Sequence, residues 1–75
     1  MTAYKINDGD VYAAHSMEEA ITLWEAATGA KWNEDDTITS MRHDEEIYSA
    51  RTDDLMTIGE ILKTEQQPAY LGHRL

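Results

Sequence analysis

Apolar and polar positions alternate over residues 3–7, AYKIN, with Tyr4 and Ile6 on one side and Ala3, Lys5 and Asn7 on the other. That is the period of a strand. Asn7-Asp8-Gly9-Asp10 follows, and then a second short apolar run, VYAA. Asp-Gly between two such runs predicts a hairpin, strands over 3–7 and 10–14, with the glycine taking the positive φ of the turn. The period then changes. Met17, Ala20, Ile21, Trp24 and Ala27 fall at helical spacing, with Leu23 on the flank. Ser16-Met17-Glu18-Glu19 reads as a capping box and Gly29 as the stop, so the spacing predicts a helix over 17–28 whose stripe covers the sheet.

Residues 30–36, AKWNEDD, read as a loop. TITSM (37–41) has β-branched content, and IYSA (47–50) is a further short strand, the two forming a second hairpin. Thr57-Ile58-Gly59-Glu60 is a second capping box, with Met56 and Ile61 at staple positions. It predicts a short helix over 58–65, in which Gly59 costs about 1 kcal/mol relative to alanine. Gln66-Gln67-Pro68 ends it, and AYLGHRL admits a final strand or a docked tail. These elements predict one α+β domain over 1–75. Its small antiparallel sheet, of three to five short strands, packs against one long and one short helix in two layers.

Composition narrows the chemistry. Of the 75 residues 41% are apolar, enough for a thin folded core, and none is cysteine, which removes disulfides and thiolate metal sites. No apolar run approaches the roughly 20 residues of a membrane helix. MTAYKINDGD lacks the basic-then-apolar order of a signal peptide, so the expectation is a soluble, cytoplasmic protein. His15, His43 and His73 are scattered, and neither Asp8-Gly9-Asp10 nor DDTITSMRHDEE has the ligand spacing of a calcium loop. Ser16 beside His15 reads as a helix cap rather than a nucleophile. No glycine-rich phosphate cradle is present, and Lys5, Lys31, Arg42, Arg51, Lys63 and Arg74 stand singly rather than in a basic patch. The expectation is therefore no catalytic residues, no metal, no cofactor and no direct contact with nucleic acid or membrane.

Net charge changes the picture most. Fifteen acids oppose six bases, −9 in all. Residues 34–54 alone hold eight acids and two arginines, or −6 of that total. The acids form three groups: Glu34-Asp35-Asp36, Asp44-Glu45-Glu46 and Asp53-Asp54. On strands and turns such groups present phosphate-like charge to a protein that normally grips nucleic acid. The expected partner-binding residues are these eight acids, with Trp32 and Tyr48 as apolar anchors.

VYAAHSMEEAITLWEAATG, a strand running into a helix with a Ser-x-Glu-Glu-Ala start and a Trp-x-x-x-Thr-Gly end, resembles a segment of small acidic proteins encoded by phages and prophages. In size, acidity and cysteine-free α+β character the chain resembles the anti-CRISPR class. That resemblance implies a non-enzymatic inhibitor, monomer or homodimer, acting in the host bacterial cell. Its partner would be a CRISPR-Cas effector subunit, whose basic nucleic-acid-binding surface it blocks in the manner of a DNA mimic. Alternatives are an antitoxin or immunity-type protein that neutralises a basic nuclease, and a phage accessory structural subunit.

Overall fold

The computed structural model describes residues 1–74. Leu75, the last residue of the AYLGHRL stretch, lies outside the described residues. The chain runs through β1 (Thr2–Ile6), β2 (Asp10–Ala14), α1 (Met17–Thr28), β3 (Ile38–Ser40), β4 (Glu46–Ser49), β5 (Leu55–Thr57), α2 (Ile58–Thr64) and β6 (Ala69–His73). All six strands join one sheet in the order β3-β1-β2-β6-β4-β5, and every pairing is antiparallel.

The class is α+β, as the periodicities predict, but with six strands rather than three to five. β5 is the addition. It is three residues long, follows two aspartates, and ends in the residue that caps α2, so it has no pattern of its own. The expected second hairpin does not form. β3 pairs with β1, whereas β4 pairs with β5 and β6. The reason lies in the connection 41–45, which crosses one face of the sheet instead of turning. Met41 N donates to Ala3 O at 2.8 Å, Gly59 N to His43 O at 3.0 Å and Ile58 N to Glu45 O at 2.8 Å. Met41 itself is buried in the core. A flat sheet would hold Ser40 and Glu46 roughly 23 Å apart, beyond the reach of about 21 Å for six extended residues. The sheet therefore curls toward the face this connection crosses.

Alternate residues of the central strands enter two separate clusters. Ala3, Val11 and Ala13 pack with Met41, Ile47, Ile58, Ile61 and Leu71, the side of α2. Tyr4, Ile6, Tyr12 and Ala14 pack with Ala20 and Trp24, the side of α1. The two helices thus lie on opposite faces, and the sheet is the middle of three layers rather than one of two. A strand with apolar residues at four successive positions, Val11 to Ala14, needs cover on both sides. Ile6, Ile47, Ile58 and Val11 are the largest fully buried side chains, each contributing about 1.5–3 kcal/mol through removal from water.

The local signals are met with two shifts. The positive φ of the first turn falls on Asn7 (54°), not on Gly9. Asn7 tolerates it because its side chain is held by the neighbouring loop: Thr37 N donates to its Oδ1 at 3.0 Å, and its Nδ2 donates to Asp36 Oδ1 at 3.3 Å. In α1, Ser16 Oγ accepts from Glu19 N as expected, but the Glu19 carboxylate reaches past the cap to accept from His15 N at 2.6 Å. Only the middle of the predicted stripe is buried, at Ala20 and Trp24 with Leu23 beside them, while Met17 and Ala27 are exposed. Gly29 ends α1 at φ 75°. In α2 the capping box is complete, Thr57 and Glu60 each accepting from the other's backbone amide.

One glycine is dictated by packing. Between Val11 and Tyr12 the pairing with β6 slips by one residue, a bulge that keeps Leu71 in the α2-side core. Gly72 there has φ 146°, and a Cβ on it would stand 2.0 Å from Tyr48 O. Gly72→Ala is expected to cost about 3 kcal/mol or more, read by urea denaturation. Gly9→Ala, whose Cβ meets nothing within 4 Å, should stay within about 0.5 kcal/mol of the parent.

Hydrogen bonds from the Thr57 backbone and then its hydroxyl hold the Glu60 carboxyl below its ordinary value. Because the folded value is the lower one, this stabilisation is present at neutral pH and lost as pH falls through it. Glu60→Gln should therefore destabilise at pH 7 and become neutral at a pH below the lowered folded value. Denaturation curves of both proteins at the two pH values check this.

Candidate interaction surface

The register aligns one row of side chains across all six strands. Ile38 faces Ile6, Ile6 faces Asp10, Asp10 faces His73, His73 faces Tyr48, and Tyr48 faces Leu55. A second row runs Ser40, Tyr4, Tyr12 and Tyr70. Both rows belong to the α1 side, since Ile6, Tyr4 and Tyr12 pack against Trp24 and Ala20. Twelve residues of helix cover only the β3-β1-β2 half. Over β6, β4 and β5 the same face is open. Leu55 is 43% exposed and Tyr70 44%, two of the four large apolar residues left at the surface among the described residues. Tyr48 is half-buried, with its ring 5.5 Å from that of His73. Tyr70 stands edge-on to Tyr12 at 5.3 Å.

Carboxylates border this open half. Asp10 lies within the first row, and Glu46, two residues before Tyr48 on β4, points to the same face. The Asp10 charge reaches both phenols. Burial, then Asp10, then Tyr70 pushes Tyr12 above its ordinary value, and burial, then Asp10, does the same to Tyr70.

The three acidic groups do not share one face. Glu34-Asp35-Asp36 lies beside the β1–β2 turn, because β3 begins opposite Ile6 and Asn7 N donates to Thr37 O at 2.8 Å. Glu46 starts β4 at that same end of the strands, beyond the Asp10 row. Asp53 and Asp54 sit in the β4–β5 turn, after Ser49, and so at the opposite end.

Several of these acids also have local tasks. Asp36 accepts from Asn33 N at 3.0 Å as well as from Asn7. Glu45 accepts from Arg42 N at 2.7 Å, and Asp44 pairs with Arg42 Nε at 3.2 Å. Asp53 occupies a left-handed turn position, φ 62°. Glu34, Asp35, Glu46 and Asp54 are exposed. What the fold gathers is an acidic rim at the β1–β2 turn end: Asp8, Asp10, Glu34, Asp35, Asp36 and Glu46, with Arg74 also there through its amide bond to Gly9 O.

The two proposed anchors part company. Trp32 closes the edge of the core, its ring edge-on to Trp24 at 5.7 Å and its amide donating to Glu25 Oε2 at 2.8 Å. Tyr48 stands on the open sheet face. Sequence reasoning missed Asp8, Asp10, Leu55, Tyr70 and His73. Only the strand register brings them together, and the one available signal was the alternation of Asp10 with Tyr12 and of Tyr70 with Leu71.

A cavity of about 260 Å³ lies between the β4–β5 turn and α2, floored by Met56, Ile61 and Leu71. Its two charged residues, Arg51 and Glu65, pair with each other at 3.0 Å. Among the described residues no three His, Asp or Glu side chains are grouped to hold a metal ion, and no helix is long and apolar enough to cross a membrane. Comparison with family models, with curated proteins and with solved structures finds no match to this chain.

The Asn7 bridge ties the β1–β2 turn, which carries Asp8, to the Asp36–Thr37 segment. Asn7→Gly keeps the left-handed backbone and removes both side-chain bonds, at an expected cost of about 1 kcal/mol. Asn7→Ala should cost about 1 kcal/mol more, because alanine resists that φ. Hydrogen exchange at the Thr37 amide should quicken in both.

Proposed function

We propose that this chain is a non-enzymatic binding protein that inhibits its partner by occupying a basic, nucleic-acid-binding surface. The observation that carries this reading is the acidic rim, where the Asn7 bridge ties the turn that carries Asp8 to the Asp36–Thr37 segment. In a chain of net charge −9, that rim steers the molecule toward positive surfaces and gives it an oriented end with which to meet them. Arg51 and Glu65, the charged residues of the cavity beside α2, are paired with each other, which favours binding over catalysis as the role of this chain. The partner class that the sequence resemblance implies is a bacterial CRISPR effector subunit, met in the host cytoplasm. The binding element differs from the array first expected, being the rim at one end of the strands, without Asp44 and Glu45, which bond to Arg42, and without Asp53 and Asp54.

The partner is sought by affinity capture from a bacterial lysate at low and high salt, followed by titration of the recovered protein. Asp8→Lys, Glu34→Lys and Asp35→Lys combined should weaken binding at least about ten-fold at low salt and abolish inhibition. Asp53→Lys with Asp54→Lys, at the other end, should leave both unchanged. Equal affinity of the two variants would sink this reading.

A further inference from the structure

We infer that the open half of the α1-side sheet face, formed by Tyr48, Leu55, Tyr70 and His73 with Asp10 and Glu46 at its border, receives an arginine-bearing segment of the partner. This rests on the proposed docking to a basic surface and names the contact that would give it specificity.

The chemistry follows from what the face holds and what it lacks. It presents three aromatic rings, Tyr48, Tyr70 and His73, and one aliphatic side chain, Leu55. Neither row carries a lysine or arginine. A purely apolar occupant would bury the Asp10 and Glu46 carboxylates without partners, which is unfavourable. A second copy of this chain, docked face to face, would bring neither lysine nor arginine from its own two rows to meet those carboxylates. An anionic occupant is repelled outright. A cation satisfies every group: its charge meets Asp10 and Glu46, and the ring faces attract it.

Arginine fits better than lysine. Its guanidinium is planar, weakly hydrated and able to stack on a tyrosine ring while its fork donates to a carboxylate. The row offers that combination directly. Asp10 faces His73 across the β2–β6 pairing, and His73 faces Tyr48 across the β6–β4 pairing with ring centres 5.5 Å apart. On the next row Tyr70 stands near the same carboxylate, whose charge is felt at its phenol. Leu55 at the outer edge accommodates the methylene stem of an arginine side chain.

The probes are oligoarginine and oligolysine peptides of equal length and charge, titrated into the full chain by fluorescence anisotropy and mapped by amide chemical shifts. Oligoarginine should bind roughly five-fold more tightly than oligolysine. Its shifts should centre on Tyr48, Leu55, Tyr70 and His73. Tyr48→Leu with Tyr70→Leu, which leaves net charge unchanged, should reduce the preference to about one-fold while oligolysine affinity holds. Mapping the unaltered protein keeps the test valid if that variant is poorly folded.

Equal affinities, with shifts confined to Asp8 and Glu34–Asp36, would overturn this inference and leave docking by charge standing. No binding of either peptide would remove both. Concentration-dependent shifts on this face without peptide would assign it to a second copy and overturn the inference as well.

Discussion

Burial of β2 on both faces is the constraint from which the rest of the architecture follows. Val11, Ala13 and Ala14 are inaccessible and Tyr12 is nearly so. A strand in that position requires a layer above and a layer below, and this chain has one long helix and one short helix to supply them. α1 serves one side. α2 and the 41–45 crossing serve the other, where curling of the sheet lets a seven-residue helix suffice. The curl that closes one core leaves the opposite face broad, and α1 is too short to span it. The uncovered area over β6, β4 and β5 is thus a geometric remainder of how the centre is buried.

Much of this was legible in the residues, and the boundary is a physical one. β1, β2 and α1 were readable because each carries a local signal: alternation, a turn dipeptide, a cap or a glycine stop. Thr57 and Glu60 announced α2 through the same kind of chemistry. β5 was not readable, since three residues hold no period and Thr57 acts in both a strand and a cap. The placement of β3 was not readable either. Nothing between Ser40 and Glu46 distinguishes a hairpin loop from a crossing, except that Met41 is apolar and needs somewhere dry to go. Helix sidedness was implied by the four-residue run at Val11–Ala14, a pattern that alternation-based reading does not weigh.

The acidic residues show the same division. Their abundance is visible in composition, but their division of labour is not. Asp36, Glu45 and Asp53 are tied to backbone geometry, as hydrogen-bond acceptors or in a left-handed turn. Asp10 was read as the first residue of a strand, and proves to sit in the middle of a six-strand row. Grouping by sequence proximity therefore joined Asp53 and Asp54 to carboxylates at the far end of the strands, and left out Asp8 and Asp10, which lie among them. Charge counts along a chain describe a surface only after strand register has folded the count.

The last strand in chain order occupies the interior of the sheet. β6 inserts between β2 and β4, and its Gly72 passes under the Tyr48 carbonyl. During vectorial synthesis the first five strands can assemble only as two separate ribbons, β3-β1-β2 and β4-β5, each with a bare inner edge. Joining them waits for Ala69–His73 to leave the ribosome. Completing the sheet consequently depends on long-range pairing, which slows folding relative to a chain built on local contacts. Until that moment the nascent polypeptide has only its own negative charge to keep those two edges from pairing with strangers.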